Sequence, residues 1–312
     1  MGMKPGGDPG EPLRPALREL DVASGDVRDV CTWTTPAAHH PGEDQHLEFT
    51  AGWRQGPWMW QPTRTEVLKI RWQTGEVVEV IDHPLFADLH SVMPHPDGGL
   101  VVTATGHDSV LHLVNGQVRA HWWLRGSAQE FQKQRKYPDY RLIPFGELKP
   151  HLYHPNHTVV LDGDLWVTCF EDRCARCLTA RHPDIALPEG PPHDGRIREG
   201  IVWFTTVNGW VIGVDPATRE RVVEIDVHAL DPRPGLPGWC RGVEVVGDTL
   251  FVGMTTLRSS RHRDWLRRAI RGRSGESRPT RVVQLDWRRQ RWQAEFDVGN
   301  AAGGTLYSIA AV

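Results

Sequence analysis

No run of eighteen apolar residues occurs in this chain of 312 residues, which excludes a membrane-spanning helix of ordinary length. The N-terminus, MGMKPGGDPGEPLRP, lacks the apolar core of a secretory signal. Cysteine is scarce, and five widely spread cysteines, an odd number, do not make a disulfide framework. Together these absences lead us to expect a cytoplasmic protein with no membrane partner. A strong charge of one sign is also lacking. The formal net charge of −3 argues against a general nucleic-acid binder. No P-loop, no Gly-x-Gly-x-x-Gly after a strand and no Gly-x-Ser-x-Gly elbow is present, so nucleotide-cofactor and esterase readings fall away.

What the chain does contain is short strands in series. The stretch 89–124, LHSVMPHPDGGLVVTATGHDSVLHLVNGQVRAHWWL, reads as four strands separated by Pro-Asp-Gly-Gly, Gly-His-Asp and Asn-Gly. Gly and Asn tolerate positive φ, and Asn-Gly favours the tight hairpin whose twist matches its strands. One sheet of this size cannot bury both faces and needs copies to stack on. The second-strand pattern recurs as DGDLWVTCF (162–170), REGIVWFTTV (198–207) and GDTLFVGMTT (247–256). The outer hairpin recurs at 16–30, 66–80, 210–225 and 281–296, and more weakly at 174–187, CARCLTARHPDIAL. Counting 110–124, there are six copies at a spacing of about fifty residues, the range of propeller blades. The expected fold is therefore all-β: a six-bladed β-propeller in which the N-terminal hairpin and the C-terminal strand GGTLYSIAAV (303–312) share one blade and close the ring.

Residues 1–13 read as a disordered tail and 14–312 as one propeller domain. Two insertions interrupt it, 125–152 and 257–281. The first is polar and is expected to cross one face of the ring. The second carries nine arginines and a short candidate helix from Arg263 to Ile270. It is a solvated basic loop or a surface for an anionic or protein partner.

Aligning the blades places His46, His90, His157, His193, Arg241 and Tyr307 near the starts of successive inner strands. Inner strands run along a propeller's channel, so residues at one level converge on the axis. Neutral imidazoles converging there suit Fe, Cu, Zn or Mn, with iron the leading expectation, and the four histidines are the expected metal ligands. Asn156 and Arg241 are then substrate-binding candidates. Asp194, Glu244 and Tyr307 are candidate catalytic groups, with Glu48 and Glu244 also placed to orient imidazoles. The same residues would serve a polar ligand pocket without metal, or simply line the channel. Weaker candidates are Cys174-x-x-Cys177, whose members point to opposite faces of a strand, and His39-His40, read as an exposed loop. The tryptophans at 58, 60, 122, 123, 166, 203 and 210 read mostly as core between blades.

The segments containing HPNH (154–157), PHDG (192–195) and WCRG (239–242) resemble a group of uncharacterised bacterial β-propeller proteins over about residues 45–312. The resemblance implies the fold and brings no activity with it. A looser similarity, of architecture alone, is to carotenoid cleavage oxygenases, which are larger, seven-bladed and histidine-ligated at the axis. The functional expectation is a small-molecule-modifying enzyme of bacterial secondary metabolism, a metal-dependent oxidoreductase or lyase. A non-catalytic binding propeller and a metal-free hydrolase or sugar-modifying enzyme are the alternatives.

Overall fold

The computed structural model describes residues 2–3, 15–42, 48–257, 277–299 and 304–312. Alternating apolar residues and tight turns build five four-stranded antiparallel sheets. Blade 1 is β4 (Trp53–Gln55), β5 (Trp58–Pro62), β6 (Glu66–Arg71) and β7 (Glu76–Asp82). Blade 2 is β8 (Leu89–Pro94), β9 (Leu100–Ala104), β10 (Ser109–Val114) and β11 (Gln117–Trp123). Blade 3 is β12 (Pro155–Leu161), β13 (Asp164–Cys169), β14 (Cys174–Cys177) and the two-residue β15 (Ile185–Ala186). Blade 4 is β16 (Pro192–Arg198), β17 (Ile201–Thr206), β18 (Trp210–Val214) and β19 (Arg221–Asp226). Blade 5 is β20 (Trp239–Val246), β21 (Thr249–Thr255), β22 (Arg281–Asp286) and β23 (Arg291–Asp297). The inner strands β8, β12, β16 and β20 pack against one another in chain order, as a propeller requires.

The expected sixth blade does not form as four strands. The remaining sheet has three, β1 (Gly2–Met3), β2 (Ala16–Leu20) and β3 (Val27–Thr32), all from the N-terminal part of the chain. Residues 304–312, expected as its inner strand, have no strand pairing. They are held by other means. Leu306 and Ile309 share an apolar cluster with Leu20, Val27 and Val298, and both the N–H and the carbonyl of Leu306 bond to the Thr255 hydroxyl. The blade count is thus five, and the terminal sheet is a lesser unit beside them.

Core between blades follows the sequence pattern. Trp166 and Trp203 are fully buried, each within the apolar layer that joins neighbouring sheets. Asn115 and Gly116 both take positive φ, 51° and 74°, as an Asn-Gly hairpin demands. The 125–152 insertion is ordered by its own signals. Ser127 and Glu130 form a capping box on α1 (Ala128–Gln134), and Phe131, Tyr140 and Leu148 are buried with Phe86, Leu89 and Leu111. Its return to the ring is fixed by the buried Asp108, whose carboxylate accepts from the N–H groups of Leu152, Tyr153 and His154 at 2.8–3.1 Å. The Arg-rich insertion is described only at its ends, so its candidate helix and partner surface lie outside the described residues. No described helix is long and apolar enough to cross a membrane.

A candidate functional site at the channel mouth

Four inner strands carry the same irregularity at the same rung. The ladder slips between Leu89 and Ser91 in β8, Pro155 and Thr158 in β12, Pro192 and Asp194 in β16, and Cys240 and Val243 in β20. Each is a β-bulge, which inserts a residue and re-aims the side chains around it. The first bulge position holds His90, Asn156, His193 and Arg241, and the second holds Ser91, His157, Asp194 and Gly242. A threonine on the second strand braces three of the four. Thr103 Oγ1 accepts from the Ser91 N–H at 2.8 Å, Thr168 Oγ1 from His157 at 3.0 Å and Thr205 Oγ1 from Asp194 at 3.3 Å. In blade 5 the bracing position is Gly253, where any Cβ would collide with the Arg241 carbonyl.

This register revises the expected ring of histidines. His157 was aligned with His90 and His193, but Asn156 occupies their rung and His157 lies one step further in. Its Nδ1 pairs with the Thr158 carbonyl at 3.0 Å, and its electrostatic neighbours are Asp194 and Arg196. The blade 3 imidazole that does reach the mouth is His154, at φ 50°, with its ring centroid 5.0 Å from that of His90. His151, from the returning insertion, continues the group with its Nδ1 2.9 Å from that of His154. The C-terminal segment adds Tyr307, 6.5 Å ring to ring from His90 and 6.0 Å from His193. The Arg241 guanidinium stacks between the rings of Tyr307 and Trp239, at 4.9 and 5.0 Å. His46 lies outside the described residues. Among the described residues, His90, His157 and His193 do not form a set whose ligand atoms share one ion.

Burial sets the charge state of the mouth. Desolvation lowers His90 and takes His154 well below the usual histidine value, and it pulls His193 and His157 down to about 4. These imidazoles are neutral at pH 7. Asp194 is held ionised, well below the usual carboxylate range, because the nearby imidazoles and hydrogen-bond donors outweigh its burial. Its Oδ2 accepts from the Gly242 N–H (2.6 Å) and the Thr205 hydroxyl (2.7 Å), and lies 3.3 Å from His193 Nδ1. Burial and the Glu48 carboxylate raise Tyr307, whose hydroxyl donates to Glu48. Buried and without a hydrogen-bond partner in this group are Nε2 of His151, His157 and His193, Oδ1 of Asn156 and Asp194, and Nε of Arg241. Buried polar atoms left unpaired are costly, and water, an ion or a ligand would relieve them.

Glu244 stands apart from this group. It is buried three residues beyond Arg241 and is claimed by Arg198 through both carboxylate oxygens, with Arg196 3.8 Å away. Asp88, unanticipated, is buried and binds the half-buried Arg64 beside His90, and its backbone carbonyl lies 2.9 Å from His90 Nδ1. Arg64 in turn lies 3.9 Å over the ring of Phe145, from the insertion. His39, expected in an exposed loop, is instead paired with the fully buried Glu66 at 2.8 Å. The sequence did hold a signal for the brace, a threonine at the same place in LVVTA, WVTC and WFTT. His151 and His154 had none, because a fold over twenty residues of insertion brings them in.

No protein-family model and no curated protein matches this chain. Solved structures do, at the level of fold. A protein of unknown function from Bacteroides caccae is 12% identical with a TM-score of 0.60, covering 98% of this chain and 97% of its own. A streptogramin B lyase is 12% identical with a TM-score of 0.53, covering 96% of this chain and 83% of its own. A chain of a nidogen/laminin complex is 9% identical with a TM-score of 0.57, covering 95% and 92%.

Proposed function

We propose that the mouth is the active site of an enzyme that moves a proton on a small polar or anionic organic molecule, in an elimination or hydrolysis. The observation that carries this reading is the His193–Asp194 pair. A carboxylate facing Nδ1 favours the tautomer in which Nε2 is the base, and that Nε2 is buried with no partner. His193 is the proton acceptor and Asp194 its positioning residue. Arg241, with its unpaired Nε, is the group for a carboxylate or for charge developing on a carbonyl oxygen. Asn156 is a further polar contact through its free Oδ1, and Tyr307 closes the wall between His193 and Arg241. A lyase on a similar fold is compatible with this chemistry, and its substrate is not carried over.

The test is untargeted. Wild-type protein and His193→Gln, Arg241→Ala and Glu79→Gln (a surface control) are incubated with a bacterial small-molecule extract, and consumption is followed by mass spectrometry. We expect compounds consumed by wild type and control, untouched by His193→Gln, and processed by Arg241→Ala only at raised concentration. Equal consumption by His193→Gln would overturn the assignment.

A metal reading of the same site draws on the burial of His90, His154 and His193, which favours their neutral forms, and it needs these side chains to move, because their ligand atoms do not lie together as they stand. Neutral imidazoles ligate divalent iron, copper, zinc or manganese. Elemental analysis of protein purified without chelator or affinity metal decides it: about one equivalent lost in His90→Ala supports an oxidoreductase or metal-dependent lyase, and a metal content unchanged by His90→Ala supports the proton-transfer reading.

A further inference from the structure

Away from the mouth, on blade 3, Asp164, Cys177 and His182 each bring one ligand atom to within 4.8 Å of the other two. No other trio of His, Cys, Asp or Glu among the described residues does so. Asp164 opens β13, Cys177 ends β14, and His182 lies in the loop that leads to β15. All three are half-buried. The group is organised beyond simple proximity. His182 lies flat on Trp166, centroids 5.8 Å and planes 10° apart, which fixes its ring. Its Nε2 is 2.9 Å from Asp164 Oδ2, while Thr179 donates to Asp164 Oδ1 at 2.7 Å and so orients the carboxylate. Cys177 Sγ accepts the Ala180 N–H at 3.3 Å, which fixes the position of the sulfur.

We infer that Asp164, Cys177 and His182 bind a Zn²⁺ ion, with water at the fourth position. Tetrahedral zinc with bonds of about 2.0–2.3 Å sets its ligand atoms about 3.3–3.6 Å apart. The ligand atoms lie within 4.8 Å of one another, so the separations exceed that spacing by at most about 1.5 Å. A nitrogen, sulfur and carboxylate set selects zinc-like ions over magnesium or calcium. The second residues needed to orient the ligands, Thr179, Trp166 and the Ala180 N–H, are in place. Blade 3 also has the most use for such a clamp. Its outer strand β15 is two residues long, and the ion would tie the 178–184 loop to β13 and β14 where ladder bonds are few.

Cobalt substitution tests the site. Metal-free, untagged full-length protein is titrated with Co²⁺ and followed by absorption. We expect a thiolate-to-cobalt charge-transfer band saturating at one equivalent, displaced by Zn²⁺, and lost in Cys177→Ser. His182→Ala should weaken binding by at least about 10-fold, since even the loss of a partner that merely orients a ligand costs that much. Zinc at 100 times its dissociation constant should raise the wild-type Tm by about 3–5 °C and leave Cys177→Ser unmoved. The other four cysteines are buried, and circular dichroism confirms that each variant is folded. A histidine site at the mouth would give cobalt ligand-field bands without the thiolate band, so the two readings fail separately. No thiolate band at one equivalent, or a band that survives Cys177→Ser, overturns the proposal.

Discussion

At the scale of single residues, the mouth depends on which side chain stands first in a bulge and which stands second. His193 comes first and faces the cluster, and Asp194 comes second and faces its neighbour's Nδ1 and the backbone of the next blade. Asp194→Asn keeps the shape while removing the charge that favours one tautomer. ¹⁵N NMR of the imidazoles should then show His193 moving from a single neutral tautomer to a mixture, with the fold retained. An unchanged tautomer would show that Asp194 only braces the backbone. Burial also has a pH consequence. His107, His157 and His193 are buried and lowered to about 4, against 6.5 in the unfolded chain. The unfolded state therefore binds more protons between pH 6.5 and 4. Stability is fully present above about 6.5 and is lost as the pH falls through about 4, by up to about 3 kcal/mol per group. Urea midpoints at pH 7.5, 5.5 and 4.5 should fall steadily, and a flat profile would contradict the assigned burial.

At the scale of elements, the bulge and its brace form one repeated device. Thr205 accepts from the Asp194 N–H and donates to the Asp194 carboxylate. Thr205→Val is nearly isosteric and removes both bonds, leaving a buried carboxylate short of a donor. We expect a loss of about 1–3 kcal/mol in chemical denaturation, together with a weaker site. Thr218→Val, at an exposed turn, is the control. If both substitutions cost the same, the brace has no special role. Much of this device was legible. Strand alternation and Asn-Gly turns gave the blades, and the threonines stand in register in LVVTA, WVTC and WFTT. The error came from HPNH, which offers two histidines and an asparagine to an alignment that needs one residue. A bulge adds a residue without any composition signal, so counting from the turn selected His157 where the rung belongs to Asn156. His154 was hidden for a different reason. It reaches the mouth through a positive φ and through Asp108, 46 residues away in sequence, and neither is visible to periodicity.

At the scale of the whole molecule, five full blades stand beside a three-stranded N-terminal sheet, and residues 304–312 touch blade 5 through Thr255 and blade 1 through Gly52. Sequence alternation in GGTLYSIAAV suggested a strand, but these residues make no ladder. Their attachments are individual: Leu306 fully buried, its N–H and carbonyl both on Thr255, Ser308 accepting from the Gly52 N–H at 3.3 Å, and Tyr307 beside Arg241. A segment held this way either locks blade 5 to blade 1 or rests on them, and the two differ measurably. Burying a leucine contributes about 2–3 kcal/mol, and each buried polar partner left alone costs about 1–3 kcal/mol. Deleting 305–312 should therefore lower stability by several kcal/mol, a large share of the 5–15 kcal/mol typical of a domain. Leu306→Ala alone should cost about 2–5 kcal/mol. Denaturation curves of both variants give the answer, with Val312→Ala at the exposed end as a reference. A lock predicts that Leu306→Ala also loosens β2 and β4, seen as faster amide exchange on both sides of the seam, because Leu306 shares its cluster with Leu20 and Ser308 reaches Gly52. Exchange that speeds up only within 304–312 would mean that the ring closes without its C-terminus, and that Tyr307 reaches the mouth as a late addition to a finished scaffold.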